Sequence, residues 1–338
     1  MEIATMSAHT DPRSAVKYGP IGITLGDPVG IGPEIVLKSC ALLGHELALT
    51  VIGDPHWLAA EARRLSLPLP DSIIDSGPVP RGVQPGRIDA RAGQAAWQAI
   101  VAGARLAIGR ELRALVTAPI SKAAMQQAGH DYPGHTELLA ELAGGADVRM
   151  MLANDSLRVV LVTIHLALRD AIARLEPGLI LRTIRITDRA LRQAGVARPR
   201  IAVAGLNPHA GENGLFGREE IELIAPAIEQ ARAGGIDASG PHAPDTVFMR
   251  ARGLREFDVV VAMYHDQGLI PVKYLGLDEG VNITIGLPFV RTSPDHGTAF
   301  DRAGQPGPDG RGLADPASLI AAIRMADRLS RPGSQPAA

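Results

Sequence analysis

An α/β chain with a largely parallel sheet is predicted, on three observations. Short apolar runs alternate with longer helical patterns along residues 21–329, the order that builds strand and helix layers. Each run is bounded by polar, Gly or Pro residues, as strands are. Polar clusters follow one run after another, and in such sheets ligands collect beyond the carboxyl ends of strands.

The elements are expected in this order. A strand over 21–25 leads through Gly26-Asp27-Pro28 to a helix over 33–43, whose Pro33 suits a first turn. A strand over 47–52 follows, then a helix over 91–108. The strand over 114–117 ends at Ala118-Pro119-Ile120-Ser121-Lys122. The strand over 159–163 leads to His165 and a helix over 177–193. The strand over 201–204 leads to Asn207-Pro208-His209 and a helix over 219–232. Pro226 should kink or split that helix, and Gly234 is its stop. The strand over 259–263 leads to Tyr264-His265-Asp266. A strand over 281–285 and a helix over 316–329 complete the set. Residues 77–86 and 305–312 read as Gly/Pro-rich loops.

Composition narrows the function. With 338 residues, at about 100–200 per domain, the chain is long enough for two lobes. Lys and Arg number 34 against 36 Asp and Glu, a balance that argues against a nucleic-acid partner. The single cysteine, Cys40, excludes an intrachain disulfide framework and a Cys-rich zinc site. Any metal must therefore sit on His and carboxylates. Residues 1–17 lack the apolar stretch of a signal peptide, and no run approaches the ~18 apolar residues of a membrane span. A cytoplasmic protein with no membrane partner is expected. Residues 1–17 and 331–338 are expected to be disordered tails.

His165, His209 and His265 each stand just past a strand-like run, 44 and 56 residues apart. Three neutral imidazoles leave positions open on a divalent ion, as catalytic metal sites do. Each alone also reads as an ordinary loop histidine. The 26–34 turn fails the dinucleotide fingerprint, because Gly30 and Gly32 require a glycine where Ile35 stands. Gly211, Gly214 and Gly217 permit either an anion-holding nest or a flexible loop. Lys273, Asn282 and Arg291 suit a phosphate or carboxylate, or are solvated. His135 and Thr136 form a further polar cluster, with Thr136 a possible helix N-cap. Ser293, Asp295 and His296 are too close together for a hydrolytic triad and lack a GxSxG elbow.

These segments together resemble the 4-hydroxythreonine-4-phosphate dehydrogenase family of pyridoxal phosphate biosynthesis. They are GDPVGIGPEI from Gly26, TAPISK from Thr117, GHTELLAE from Gly134, GLNPHAGENG from Gly205 and APDTVF from Ala243. The most specific is MYHDQGLIPVKYLGLDEGVNITIGLPFVRTSPDHGTAFD from Met263. The resemblance implies a two-lobed α/β/α fold of the isocitrate/isopropylmalate dehydrogenase type. Residues 18–130 with 290–330 would form one lobe. Residues 131–289 would form the other, carrying the metal ligands and the dimer interface. It implies a homodimer with the active site at the subunit interface.

The same resemblance implies metal ligation by His165, His209 and His265, and substrate contacts from His135, Thr136, Lys273, Asn282 and Arg291. His135 or Asp245 would assist proton transfer. The implied reaction is oxidation of 4-phosphooxy-L-threonine at its C3 hydroxyl by NAD or NADP. Decarboxylation to 3-amino-2-oxopropyl phosphate follows. The implied divalent cation is zinc first, with cobalt, manganese or magnesium as alternatives. The alternatives in function are a paralogue acting on a four-carbon sugar-acid phosphate or an aromatic cis-dihydrodiol, and a non-catalytic metal- or anion-binding protein.

Overall fold

A computed structural model describes residues 19–276, 280–308 and 310–331. Of the tails expected over 1–17 and 331–338, all but Arg331 lie outside the described residues. Eleven strands form a single sheet: β1 Ile21–Thr24, β2 Leu49–Gly53, β3 Ile73–Asp75, β4 Ala114–Thr117, β5 Arg149–Ala153, β6 Arg158–Leu161, β7 Ile201–Ala204, β8 Ala238–His242, β9 Val259–Ala262, β10 Val281–Ile285 and β11 Val290–Pro294. Their order is β3-β2-β1-β4-β11-β10-β5-β6-β9-β7-β8. The helices are α1 Gly32–Leu43, α2 Pro55–Leu65, α3 Ala90–Ile108, α4 Lys122–Gln127, α5 His135–Leu142, α6 Leu168–Arg174, α7 Pro177–Gln193, α8 Ala225–Ala233, α9 Val247–Ala251, α10 His265–Tyr274 and α11 Ala317–Ser330. No described helix is long and apolar enough to cross a membrane.

The α/β alternation is as expected, but the sheet is mixed at its centre. β11 pairs parallel with β4, then antiparallel with β10. β10 pairs antiparallel with β5, and β5 antiparallel with β6. β6, β9 and β7 are again parallel to one another. Three antiparallel steps reverse the chain direction. The carboxyl ends of β6, β7 and β9 therefore point opposite to those of β1 and β4. By strand direction the turns after β1 and β4 leave the sheet opposite to those bearing His165, His209 and His265, yet Lys122 of the post-β4 cluster still comes near enough for its charge to act on His165. The histidine-bearing turns share an edge, because their three strands run the same way.

The helix expected over 219–232 is split next to Pro226, as that residue predicts. A π-helical turn over Glu220–Ile224 precedes α8, and Pro226 falls in the first turn of α8, where its missing N–H costs little.

Helices cover both faces, and the two faces differ. On one, Ile21, Ile23, Val116, Ile283, Val160 and Val261 share a continuous core with α1, α7 and α11. On the other, the apolar packing is divided. Ile52 and Leu115 pack with Ile100 of α3 and Leu138 of α5. Leu152, Leu161 and Val260 pack with Val247 of α9 and Leu269 of α10. Between these two groups lie Thr117, Arg291, Thr284 and Asn282. Period-two alternation puts Asn282 and Thr284 on one face of β10, and Thr284 stands opposite Arg291 in register. The break in the apolar layer is the candidate site.

Candidate active site

Arg291 is only 2% exposed. Its Nη1 donates to Thr284 Oγ1 at 3.0 Å and its Nη2 to Thr117 Oγ1 at 2.6 Å. Its buried Nε has no partner. Among the described residues no carboxylate lies within ion-pair distance of it. A buried cation is ordinarily paired, so this guanidinium is a candidate contact for an anionic group. Burial lowers its pKa to about 9, opposed by the Glu137 charge.

Two further polar atoms are buried without partners, His135 Nε2 and Asn282 Oδ1. Such orphans in a native structure call for a ligand or another specific explanation. His135 opens α5 and is enclosed. Burial holds its pKa well below the usual histidine range, and the Arg291 and Lys122 charges push the same way. It is neutral at pH 7, with one nitrogen able to donate and one to accept. Thr136 is not the N-cap of α5, a position taken by Gly134. Its hydroxyl lies instead 3.4 Å from Thr284 Oγ1. The structure thus groups His135, Thr136 and Arg291 around Thr284, with Asn282 two residues along the same strand face.

Lys122, Glu137, Thr117 and Thr284 belong to this group and escaped sequence reasoning as site residues. Lys122 is the first residue of α4, placed by Ser121, whose Oγ caps the helix at Ala124 N. The signal for Lys122 was the polar cluster after the 114–117 run, and for Thr284 its i, i+2 spacing from Asn282. Lys273 is ion-paired to Asp295 at 2.6 Å. Asp245 is exposed in the turn before α9, and among the described residues its side chain forms no hydrogen bond or ion pair.

The rings of His165 and His265 lie 5.6 Å apart between centroids, tilted by 43°. Thr163 ties their two strand ends together, its N and Oγ1 both donating to Met263 O at 3.2 and 2.8 Å. His265 Nδ1 faces Asp266 Oδ1 at 2.7 Å, which leaves Nε2 open, the arrangement of an oriented metal ligand. Burial and the Lys122 charge lower the His165 pKa, favouring the neutral form that ligates. This pair fits two positions of a nitrogen-preferring divalent cation. His209 is exposed on a separate turn. Among the described residues no three His, Cys, Asp or Glu side chains converge to hold an ion.

The turn that carries His209 is left-handed. His209, Ala210, Gly211, Glu212 and Asn213 have φ of 51°, 54°, 81°, 42° and 55°, and Gly214 has 97°. Side chains cost roughly 1–2 kcal/mol each in this region, and strain of this kind gathers at functional sites. Gly211 is required twice over, since a Cβ there would also stand 2.6 Å from Glu220 Oε2. Gly211→Ala is expected to destabilise the fold by roughly 2–4 kcal/mol, combining backbone strain with overpacking. Urea denaturation measures it.

A divided apolar layer, a buried arginine with no carboxylate partner among the described residues, and a histidine pair make up the candidate active site of this α/β chain. The chain belongs to the family described as pyridoxal phosphate biosynthetic protein PdxA, which matches residues 26–326. It is 52% identical to a 4-hydroxythreonine-4-phosphate dehydrogenase of Beijerinckia indica, over 93% of this chain and 96% of that one. It is 48% identical to a D-threonate 4-phosphate dehydrogenase of Cupriavidus necator, over 92% and 97%. The crystal structure of a 4-hydroxythreonine-4-phosphate dehydrogenase from Klebsiella pneumoniae superposes with a TM-score of 0.84 at 43% identity, covering 93% of this chain and all of that one.

Proposed function

We propose that this chain is a dehydrogenase that oxidises 4-phosphooxy-L-threonine at its C3 hydroxyl in pyridoxal 5'-phosphate biosynthesis. The product is a β-keto acid that loses CO2 to give 3-amino-2-oxopropyl phosphate. The observation that carries this reading is the buried Arg291 without a carboxylate partner, beside the orphaned His135 Nε2 and Asn282 Oδ1. Together with the family, it supports a substrate that is both anionic and hydroxylated.

Arg291 binds an anionic oxygen of the substrate, and Asn282 and Thr136 orient its polar groups. Neutral His135 holds or accepts the proton released from the C3 hydroxyl. Lys273, held by Asp295, is the second cation for the phosphate or carboxylate, and Asp245 is the alternative proton acceptor. NAD or NADP supplies the hydride acceptor. A divalent cation held by His165, His209 and His265 supplies Lewis-acid stabilisation of negative charge on oxygen, zinc being the first choice for three imidazoles.

The enzyme works as a cytoplasmic homodimer with its active site at the subunit interface. Exposed apolar side chains beside the histidine turns support this: Leu166 and Leu168 after β6, Leu215 and Phe216 after the His209 turn. Exposed apolar side chains of this kind suit burial against a second copy. A second copy would also complete the metal site that one chain leaves open.

The 48% identity to a D-threonate 4-phosphate dehydrogenase favours a second reading, in which a C2 hydroxyl replaces the amino group. Comparative kcat/KM decides between them. The proposal expects 4-phosphooxy-L-threonine to be preferred over D-threonate 4-phosphate with whichever nicotinamide cofactor is used. The reverse order would establish the second reading.

The free enzyme's pH dependence tests the anion receptor separately. The guanidinium is charged below about 9 and loses its proton as pH rises through that value. Below it, Arg291 is charged in both the folded and unfolded chain, and its burial opposes folding. Above it, that opposition is relieved while anion binding is lost. kcat/KM for the phosphorylated substrate is expected to fall as pH rises through about 9, since that ratio reports free-enzyme groups.

A further inference from the structure

Lys122 is an uncommitted cation at the edge of the site. Among the described residues its ammonium forms no hydrogen bond or ion pair, whereas Lys273 is already paired with Asp295. Its charge nevertheless reaches two imidazoles, His135 and His165. Arg291 acts on the same His135 ring. Two cations from separate elements, Arg291 on β11 and Lys122 at the start of α4, therefore stand near one buried, orphaned nitrogen.

The place of Lys122 is fixed by the backbone beneath it. Gly26, at φ 72°, lets the turn after β1 close on the turn after β4, since a Cβ there would stand 2.5 Å from Pro119 O. Asp27 N donates to that same oxygen at 2.9 Å. Ser121 then caps α4 at Ala124 N. The Gly26-Asp27-Pro28 turn and the segment from Thr117 thus meet and set where α4 begins, with Lys122 as its first residue.

α5 faces the lysine. Its N-cap, Gly134, offers no side chain to the first-turn amides. A Cβ at Gly134 would stand 3.9 Å from Lys122 Cε and 3.5 Å from Glu137 Oε2, so the lysine stem runs past the opening of the helix. Among the described residues Glu137 is within ion-pair distance of neither cation. An uncapped helix start beside two cations suits an anion. A phosphate monoester carries about −1.5 to −2 at pH 7, more than one guanidinium offsets, whereas a carboxylate needs a single cation.

We propose that Lys122 is a substrate-binding residue, its ammonium joining Arg291 and the first turn of α5 on the phosphate of the substrate. The proposal rests on the reading of that substrate as a phosphorylated hydroxy acid.

The test titrates inorganic phosphate calorimetrically into the full chain, with a melting curve for each variant. Lys122→Met keeps the stem and removes the charge. It is expected to weaken phosphate binding about 10–100-fold, the worth of one hydrogen bond to a charged group. Lys122→Arg, which keeps the charge, restores most of that loss. Lys122 is exposed, so both variants are expected to melt with the wild type. kcat/KM falls in Lys122→Met by a similar factor for whichever of 4-phosphooxy-L-threonine and D-threonate 4-phosphate the enzyme turns over. Phosphate affinity that stays within twofold in Lys122→Met overturns the proposal, as does a wild-type chain that binds no phosphate. If the wild type turns over neither substrate yet Lys122→Met still weakens phosphate, the substrate reading falls and the phosphate contact stands.

Discussion

Arg291→Met is expected to reduce kcat/KM for the phosphorylated substrate by roughly 10²–10³-fold without lowering thermal stability. Removing one partner of a buried charge pair costs about 2–5 kcal/mol of binding, and each 1.4 kcal/mol is about tenfold. The same substitution relieves the fold. Arg291 is buried with two threonine hydroxyls for partners, an orphaned Nε and no carboxylate. Replacing an unpaired buried cation by an apolar side chain of similar length is neutral or stabilising. Steady-state kinetics and a melting curve on one preparation check both halves. An ordinary structural arginine would give the opposite pattern, lower stability with catalysis spared.

His209→Gly is expected to abolish metal-dependent turnover and to weaken metal binding by more than the roughly 10–100-fold that an outer-shell partner carries. Its fold should remain intact. His209 is exposed at φ 51°, where glycine avoids the Cβ penalty. The gain in folded-state comfort offsets the extra freedom of glycine in the unfolded chain. Metal titration with circular dichroism separates this from misfolding. Retained metal affinity would mean that His209 is not a ligand.

Much of the fold was legible because its parallel strands are short buried runs with clear punctuation. β1, β4, β7 and β9 are of this kind, and the antiparallel β10 reads the same way. Four strands escaped, β3, β5, β8 and β11, and of these β5 and β11 help reverse the sheet. β5 reads RMMLA and begins on a buried arginine, whereas β11 reads VRTSP and carries mostly polar residues into the interior. Both look unlike strands until their partners are known, since a β-residue's fitness depends on what lies across and above it. The consequence reached the site. The strand ends that carry the polar clusters leave the sheet in two directions, and the site forms where the sheet turns over.

At the site, Arg291, His135 and Asn282 were legible as residue types and their shared burial was not. Thr284 and Lys122 left only weak signals in the sequence, because their roles come from a cross-strand register and a helix start. The left-handed turn at His209 was hidden. Only two of its six residues are glycine, and its conformation depends on Glu220 and Asn207.

The most direct test of the whole account is a paired measurement on the purified enzyme with 4-phosphooxy-L-threonine. Reduced nicotinamide is followed by absorbance and CO2 is trapped from the same reaction, before and after a chelator. The account predicts equal amounts of the two products, loss of both on chelation, and recovery of both when Zn2+ is returned. No turnover of this substrate, or reduced nicotinamide that continues unchanged after complete metal removal, would contradict it.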